Sequence, residues 1–398
     1  MKQCTIRKKF LIMKKKIIFF ILLILTHNSF AQSTTKYFHE NINWQKIEQI
    51  PIQYNGRLQP LLSFARTILY KISGRSYVKT SNMRLTPTQW LIEVVLNSER
   101  AQNYKIFLVE APEILEHLGI EYQKKRAYYS FGTFLEKRIK LFQFANLARQ
   151  KLKHKIRLQR VEKQMLNLFE KLKLYNQLQN SFDFLKTFSP YTQEGQKKIP
   201  QKFSAADYFV FLNKKDNKKI PFFAKGSLQL YKVFESKNKQ ERKKWLSLIE
   251  KELGLIKEFQ FSNIFTIFDL EEEGKGPWNK FFLCSFTIKQ HRLFYNWVQL
   301  YFAYRSNNVK KINACINNLS NALKRQFSGY QYSKLLYEVS YYKLLPFYWT
   351  KIFYVISLFA CLILWSGIKK KLFYFLVILC AAAGYIFHSY GIVLRMLI

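Results

Sequence analysis

The sequence predicts a mainly helical membrane protein: a signal peptide, a large extracytoplasmic helical domain with minor β-structure, and two C-terminal transmembrane helices. Three observations carry this. Two uncharged apolar stretches, 352–368 and 372–394, lie near the end of the chain, separated only by Lys369, Lys370 and Lys371. Each is long enough to cross a bilayer, which takes ~17–25 apolar residues as a helix. Soluble core helices rarely run so far without a charge. At the other end, residues 13–31 read MKKKIIFFILLILTHNSFA, with a basic start at Lys14–Lys16, an apolar core at Ile17–Leu25 and a small-x-small site at Ser29-Phe30-Ala31. That is the pattern of a secretory signal. Between the two ends, apolar residues recur mostly at helical spacing, with few alternating runs.

The two membrane signals agree on topology. A loop as short as the lysine triplet stays cytoplasmic, so the first helix enters from outside and the second returns. The N-terminal signal delivers the intervening chain to the same outer side, whether it is cleaved after Ala31 or kept as an anchor. Met13 is an alternative start. The expected division is 1–31 as signal peptide or anchor, 32–185 and 186–345 as two extracytoplasmic regions, and 346–398 as the two transmembrane helices. The expected location is the cytoplasmic membrane, with residues 32–346 outside.

A net charge of +40 would ordinarily point to nucleic acid or an anionic surface. Here the lysines are spread along a chain also rich in Phe, Tyr, Ile and Asn and poor in Gly and Pro. That bias follows A+T-rich codons, and no arginine-rich block or RNA-binding module accompanies it. Nucleic-acid binding is not expected. With 49% hydrophobic and 17% aromatic residues, the outer part has the material for a folded core. Of the five cysteines, Cys4 leaves with the signal and Cys361 and Cys380 fall in the membrane helices. Cys284 and Cys315 remain as one possible disulfide pair, which is no disulfide framework, and no CxxC is present.

In chain order, a short helix is expected around Trp44–Ile50. Pro51-Ile52-Gln53 should be extended, Asn55-Gly56 is a turn signal, and Pro60 suits the first turn of a helix. Leu61, Leu62, Ala65, Ile68, Leu69 and Ile72 then keep helical spacing, and Gly74 can end that helix. Thr86–Asn97 reads as a helix capped by Thr86 or Thr88, Tyr104–Val109 as the one strand of this region, and Pro112–Leu118 as a short helix. Residues 133–185 form the longest helical stretch. Leu158, Val161, Met165, Leu168, Leu172 and Tyr175 make a heptad-like seam, which fits either a coiled-coil arm or a helix hairpin inside the domain. Residues 186–201 read as a linker and Glu235–Leu255 as an amphipathic helix. The acidic run 269–273 lacks the ligand alternation of a calcium loop and reads as solvated. From Leu293, two amphipathic helices should meet at Ser306-Asn307-Asn308 as a hairpin.

For soluble-enzyme chemistry the motifs are missing: no Gly-x-Ser-x-Gly, HExxH, Rossmann or phosphate-loop pattern occurs. No catalytic residue and no metal site is expected. Of the scattered histidines only His388 has a telling context. It lies roughly 25 Å along a helix from Lys371, near the outer edge of the hydrocarbon layer. An ionisable group at that depth is a candidate for haem or metal ligation or for proton relay. Anchoring the helix beside Tyr385 and Tyr390 is the ordinary alternative.

Three stretches carry a resemblance. The first is Gln53-x-x-Gly56-Arg57-x-x-Pro60-Leu61-x-x-Phe64-Ala65. The second is Ala303-Tyr304-Arg305, followed by Glu338-x-x-Tyr341-x-x-x-x-Pro346-Phe347-Tyr348. The third is His388-x-x-Gly391-x-x-x-Arg395. Together, in this order and spacing, they resemble the bacterial cytochrome c assembly proteins of the CcsA or ResC type, and more closely the long fused ResB–CcsA forms. Ser63 stands where that family's first segment has Thr. The resemblance spans residues 50–398 with a loose middle.

What the resemblance implies is haem handling: export of haem and its attachment to apocytochrome c outside the cytoplasm. It implies haem as cofactor, and apocytochrome c and other assembly subunits, including a separately encoded C-terminal half, as partners. His388 would contact haem and Arg395 would partner a propionate. Gly56, Arg57, Pro60, Glu338 and Pro346 would hold the fold or an interface. The family's tryptophan-rich haem loop, with its WxWDP-like core, is not among the residues here. The chain therefore looks like the front portion of a synthase, and thioether formation is not carried over. The alternative from a different class is a non-enzymatic, membrane-tethered scaffold that docks partner proteins.

Overall fold

A computed structural model of the chain describes residues 38–54, 57–80, 83–122, 127–185, 187–188, 203–204, 266–268, 279–280, 288–326, 329–367 and 371–398. The chain divides into two units, Met1–Glu40 and Asn41–Ile398, and almost all of the first lies outside the described residues. So do the stretches expected as signal peptide (13–31), as the turn at Asn55-Gly56 and as the helix 235–255, most of the expected linker 186–201, the acidic run 269–273, Cys284, Lys369 and Lys370. The second unit is mainly helical with a few short strands.

It begins with α1 (Trp44–Glu48), capped by the Asn43 side chain, which accepts from the Lys46 N–H. Next, β1 (Pro51–Tyr54) and β2 (Arg57–Pro60) pair antiparallel, with Tyr54 opposite Arg57 and Pro51 opposite Pro60. The second strand is a finding beyond the sequence reading. Pairing with β1 extends the chain through Pro60, which becomes the N-cap of α2 (Leu61–Ser73) rather than a residue of its first turn. A proline there, at φ −70° and ψ 151°, is ordinary extended backbone. Gly74 closes α2 with a left-handed φ of 67°, its N–H donating to Tyr70 O.

The short strands β3 (Val78–Lys79) and β4 (Arg84–Leu85) lead into α3 (Pro87–Leu96). Thr86 caps α3, accepting from the Gln89 N–H while the Gln89 side chain takes the Thr86 N–H. After α4 (Ser98–Ala101), β5 (Phe107–Val109) finds a partner across α5 (Pro112–Leu118) in β6 (Ala127–Tyr129). The expected lone strand is therefore one arm of a two-stranded ribbon, as its backbone groups require. Then come α6 (Phe131–Leu135), α7 (Arg138–Lys153) and α8 (Arg160–Gln179).

The seam on α8 turns inward. Met165, Leu168, Leu172 and Tyr175 are buried, and α7 and α8 form a hairpin within the domain. Tyr175 sits at the centre of an aromatic cluster, 4.9 Å from Phe131, 5.4 Å from Phe107 and 6.5 Å from Trp90 between ring centroids. These rings come from α6, β5 and α3, so one residue of the seam ties four elements together. Each buried ring of this size contributes roughly 1.5–3 kcal/mol by its removal from water.

Farther on, β7 (Thr187–Phe188) pairs with β8 (Phe203–Ser204). β9 (Thr266–Phe268) joins β1 to β10 (Asn279–Lys280), giving a small sheet of order β10-β9-β1-β2. α9 (Ile288–Arg305) and α10 (Val309–Gln326) form the expected hairpin, turning at Asn307 with φ 52°. α11 (Gly329–Leu344) runs into α12 (Pro346–Trp365), and α13 (Lys371–Leu397) ends the described chain.

Two helical runs, Gln331–Trp365 and Lys371–Leu397, are long and apolar enough to cross a membrane. Leu345, at φ 46°, breaks the first run, and Pro346 restarts it where a missing N–H costs nothing. The apolar pair is thus α12 and α13, packed closely against each other. Thr350 and Ser357 donate to the carbonyls of Gly384 and Val377 at 3.4 and 3.2 Å. At Gly384 a Cβ would lie 2.5 Å from the Tyr354 ring, so only glycine allows the approach seen. The outer faces carry Leu358, Phe359, Phe375 and Ile378, all exposed. Water would disfavour that surface, and lipid would not.

Candidate functional site

The candidate site is built where the β1–β2 hairpin meets α11, the helix that leads into the apolar helix pair. β2 begins with Arg57, and its guanidinium donates to Glu338 Oε2 at 2.8 Å, across 281 positions of sequence. Glu338 is on α11 with a side chain 5% exposed, whereas the Arg57 side chain is 55% exposed. Burial raises the Glu338 carboxyl above its ordinary pKa, opposed by the Ser63 hydroxyl and by Arg57. Neighbouring contacts repeat the junction. Arg66 of α2 lies over the Tyr342 ring, 5.0 Å from its centroid, and Lys343 pairs with Glu48 at 2.6 Å.

On the other side of the Leu345 break, α13 packs against the opening of α12. A Cβ on Gly391 would lie 3.1 Å from Pro346 and from the Phe347 ring. The His388 ring meets Phe347 edge-on, with centroids 5.5 Å apart and planes at 80°. Arg395 places its guanidinium 5.8 Å from the Tyr341 centroid and 5.9 Å from that of Phe347. His388 and Arg395 are seven residues apart, so they share a helix face about 10 Å from each other along the axis. Both remain exposed.

The structure therefore makes two sets of contacts among the residues singled out in the sequence: Arg57 on Glu338, and His388 and Arg395 on Phe347 and Tyr341. Pro60 ends β2 and caps α2, a structural role. Gly56 lies outside the described residues. Tyr304 and Arg305 go elsewhere: the Tyr304 hydroxyl donates to Glu93 Oε1 at 2.8 Å, and Arg305 pairs with Glu99 at 2.9 Å.

Glu93 is the residue that sequence reasoning missed. It is fully buried on α3, pairs with the Arg100 guanidinium and accepts from Tyr304. Its signal was available as the single acid in the apolar run PTQWLIEVVL. Burial and the nearby Glu93 carboxylate hold the Tyr304 hydroxyl well above its usual pKa, and burial is the main cause pushing Tyr104 up to about 12. Both phenols stay protonated, and that of Tyr304 donates to Glu93.

The chemistry of the donors at the helix pair fits haem in kind. An exposed imidazole is an axial-ligand type, and a guanidinium farther along the same face is a propionate partner. Among the described residues no group of three or more His, Cys, Asp or Glu is placed to hold a metal ion. No family model and no curated protein matches the chain.

Proposed function

We propose that the chain is a membrane component of the machinery that exports haem and attaches it to apocytochrome c. The carrying observation is that stretches far apart in sequence meet around the helix leading into the apolar pair: Arg57 on Glu338, and His388 and Arg395 on Phe347 and Tyr341. In this reading α12 and α13 cross the cytoplasmic membrane, the lysines at 369–371 stay inside, and residues 32–346 lie outside behind a signal peptide or anchor. His388 and Arg395 are the residues that would hold haem, the imidazole as a ligand type for its iron and the guanidinium for a propionate. Haem supplies the iron and the vinyl groups of the attachment reaction. The residues of this chain would bind and orient it. Apocytochrome c and other assembly subunits meet the outer domain.

The test is haem retention. Wild type and His388→Ala are expressed, purified in detergent from membranes and compared by absorption spectrum. A Soret band in wild type that His388→Ala loses, with the same helical content, is the expected result. No haem in folded, membrane-inserted wild type overturns haem contact and leaves the second reading, a membrane-tethered scaffold. That reading draws on the ring packing of His388 and Arg395 against Phe347 and Tyr341, which gives both side chains an anchoring task.

A further inference from the structure

We propose that a cleft between α2 and α11 binds the phosphate-bearing headgroup of an anionic phospholipid. The cleft measures about 490 Å³ and is lined by Arg66, Thr67, Tyr70, Lys71, Ser76 and Tyr342. Arg66 is held in place by the Tyr342 ring beneath it. Among the described residues no carboxylate pairs with Arg66 or Lys71, whereas the nearby Arg57 and Lys343 are taken by Glu338 and Glu48. The cleft therefore presents two cations beside the hydroxyls of Thr67 and Ser76. A guanidinium, an ammonium and neutral O–H donors form the set that recognises a phosphate.

Position selects a lipid over a free anion. Tyr342 stands four residues before Pro346, about 6 Å along a helix from where α12 opens. Tyr348 and Trp349 are exposed in the first turn of α12. Such rings settle at the level of the headgroups. A cleft about two turns, roughly 10 Å, beyond them meets the charged headgroup layer, where basic side chains close to the surface gain from anionic lipid. The inference rests on α12 and α13 crossing the membrane and does not depend on haem.

The test uses the full chain. Protein extracted in mild detergent from membranes containing phosphatidylglycerol is examined by native mass spectrometry for bound lipid. Wild type is expected to keep phosphatidylglycerol. Arg66→Gln/Lys71→Gln should lower it roughly tenfold or more. Lys71→Gln alone, at an exposed position, should give a smaller loss in the same direction, which covers a double variant that folds poorly. Lys153→Gln/Lys155→Gln, the same charge change at the tip of the α7–α8 hairpin, should leave retention unchanged. Equal retention in all variants, or equal loss in the control, overturns the site. Displacement of the lipid by millimolar inorganic phosphate shows a soluble-anion site and overturns the lipid assignment. Carbonate extraction of the same membranes separates the two readings: release of the chain refutes spanning itself, and the headgroup site falls with it. Retention of the chain without bound lipid refutes only the headgroup site.

Discussion

Glu338 and Glu93 are both buried carboxylates with an arginine partner, and the difference between them lies in what else is nearby. Burial dominates at Glu338, so its folded pKa is raised above the ordinary 4.5. The folded state then holds the proton more tightly than the unfolded chain, and stability falls as pH rises from 4.5 through the folded value. Glu338→Gln is expected to flatten that part of the stability–pH curve, as measured by thermal melts across pH 4–8. An unchanged slope would show that Glu338 is not the group responsible. Glu93 has Arg100 and Tyr304 directly on its oxygens. Removing the cation strands a buried charge, so Arg100→Ala should cost about 3 kcal/mol. Tyr304→Phe removes one hydrogen bond to a carboxylate and should cost about 1.5 kcal/mol. Chemical or thermal unfolding followed by tryptophan fluorescence gives the order, and the reverse order would refute the account. The sequence named Glu338 and Arg57 without pairing them and passed over Glu93, because a contact between residues 281 or 211 positions apart leaves no local pattern.

Among the elements, those with their own punctuation were legible. Thr86 with Gln89, Gly74 and Pro112 mark helix ends by local chemistry, and the structure places α2, α3 and α5 within a residue or so of the expected limits. Strands were less legible. β2 and β6 are three or four residues long and are fixed by their partners, β1 and β5, rather than by alternation of their own. The heptad-like seam allowed two destinations, and the aromatic cluster around Tyr175 decided for the inside. At the helix pair the deciding feature is the space at Gly384. Gly384→Leu should destabilise by about 1–3 kcal/mol as the new side chain meets Tyr354. Adding Tyr354→Ala should recover much of that loss, because the two changes share one contact. Additive effects in thermal melts would mean that the helices do not meet at this point.

If α12 and α13 form a hairpin entering from outside, a membrane-impermeant maleimide should label Glu113→Cys in intact spheroplasts. Ser366→Cys, between the two apolar helices, should label only after lysis, both in a background with Cys284 and Cys315 changed to Ser. The opposite pattern would invert the topology. By itself the sequence determined the helical character, the two long apolar segments and the helix ends, since propensity, capping and uninterrupted hydrophobicity act over a few neighbouring residues. Only the tertiary structure decided that Arg57 reaches Glu338, that the α8 seam is buried and that His388 and Arg395 gather on Phe347. Those outcomes depend on which distant surfaces meet, and that choice is made by the packing of the entire core rather than by any short stretch of chain.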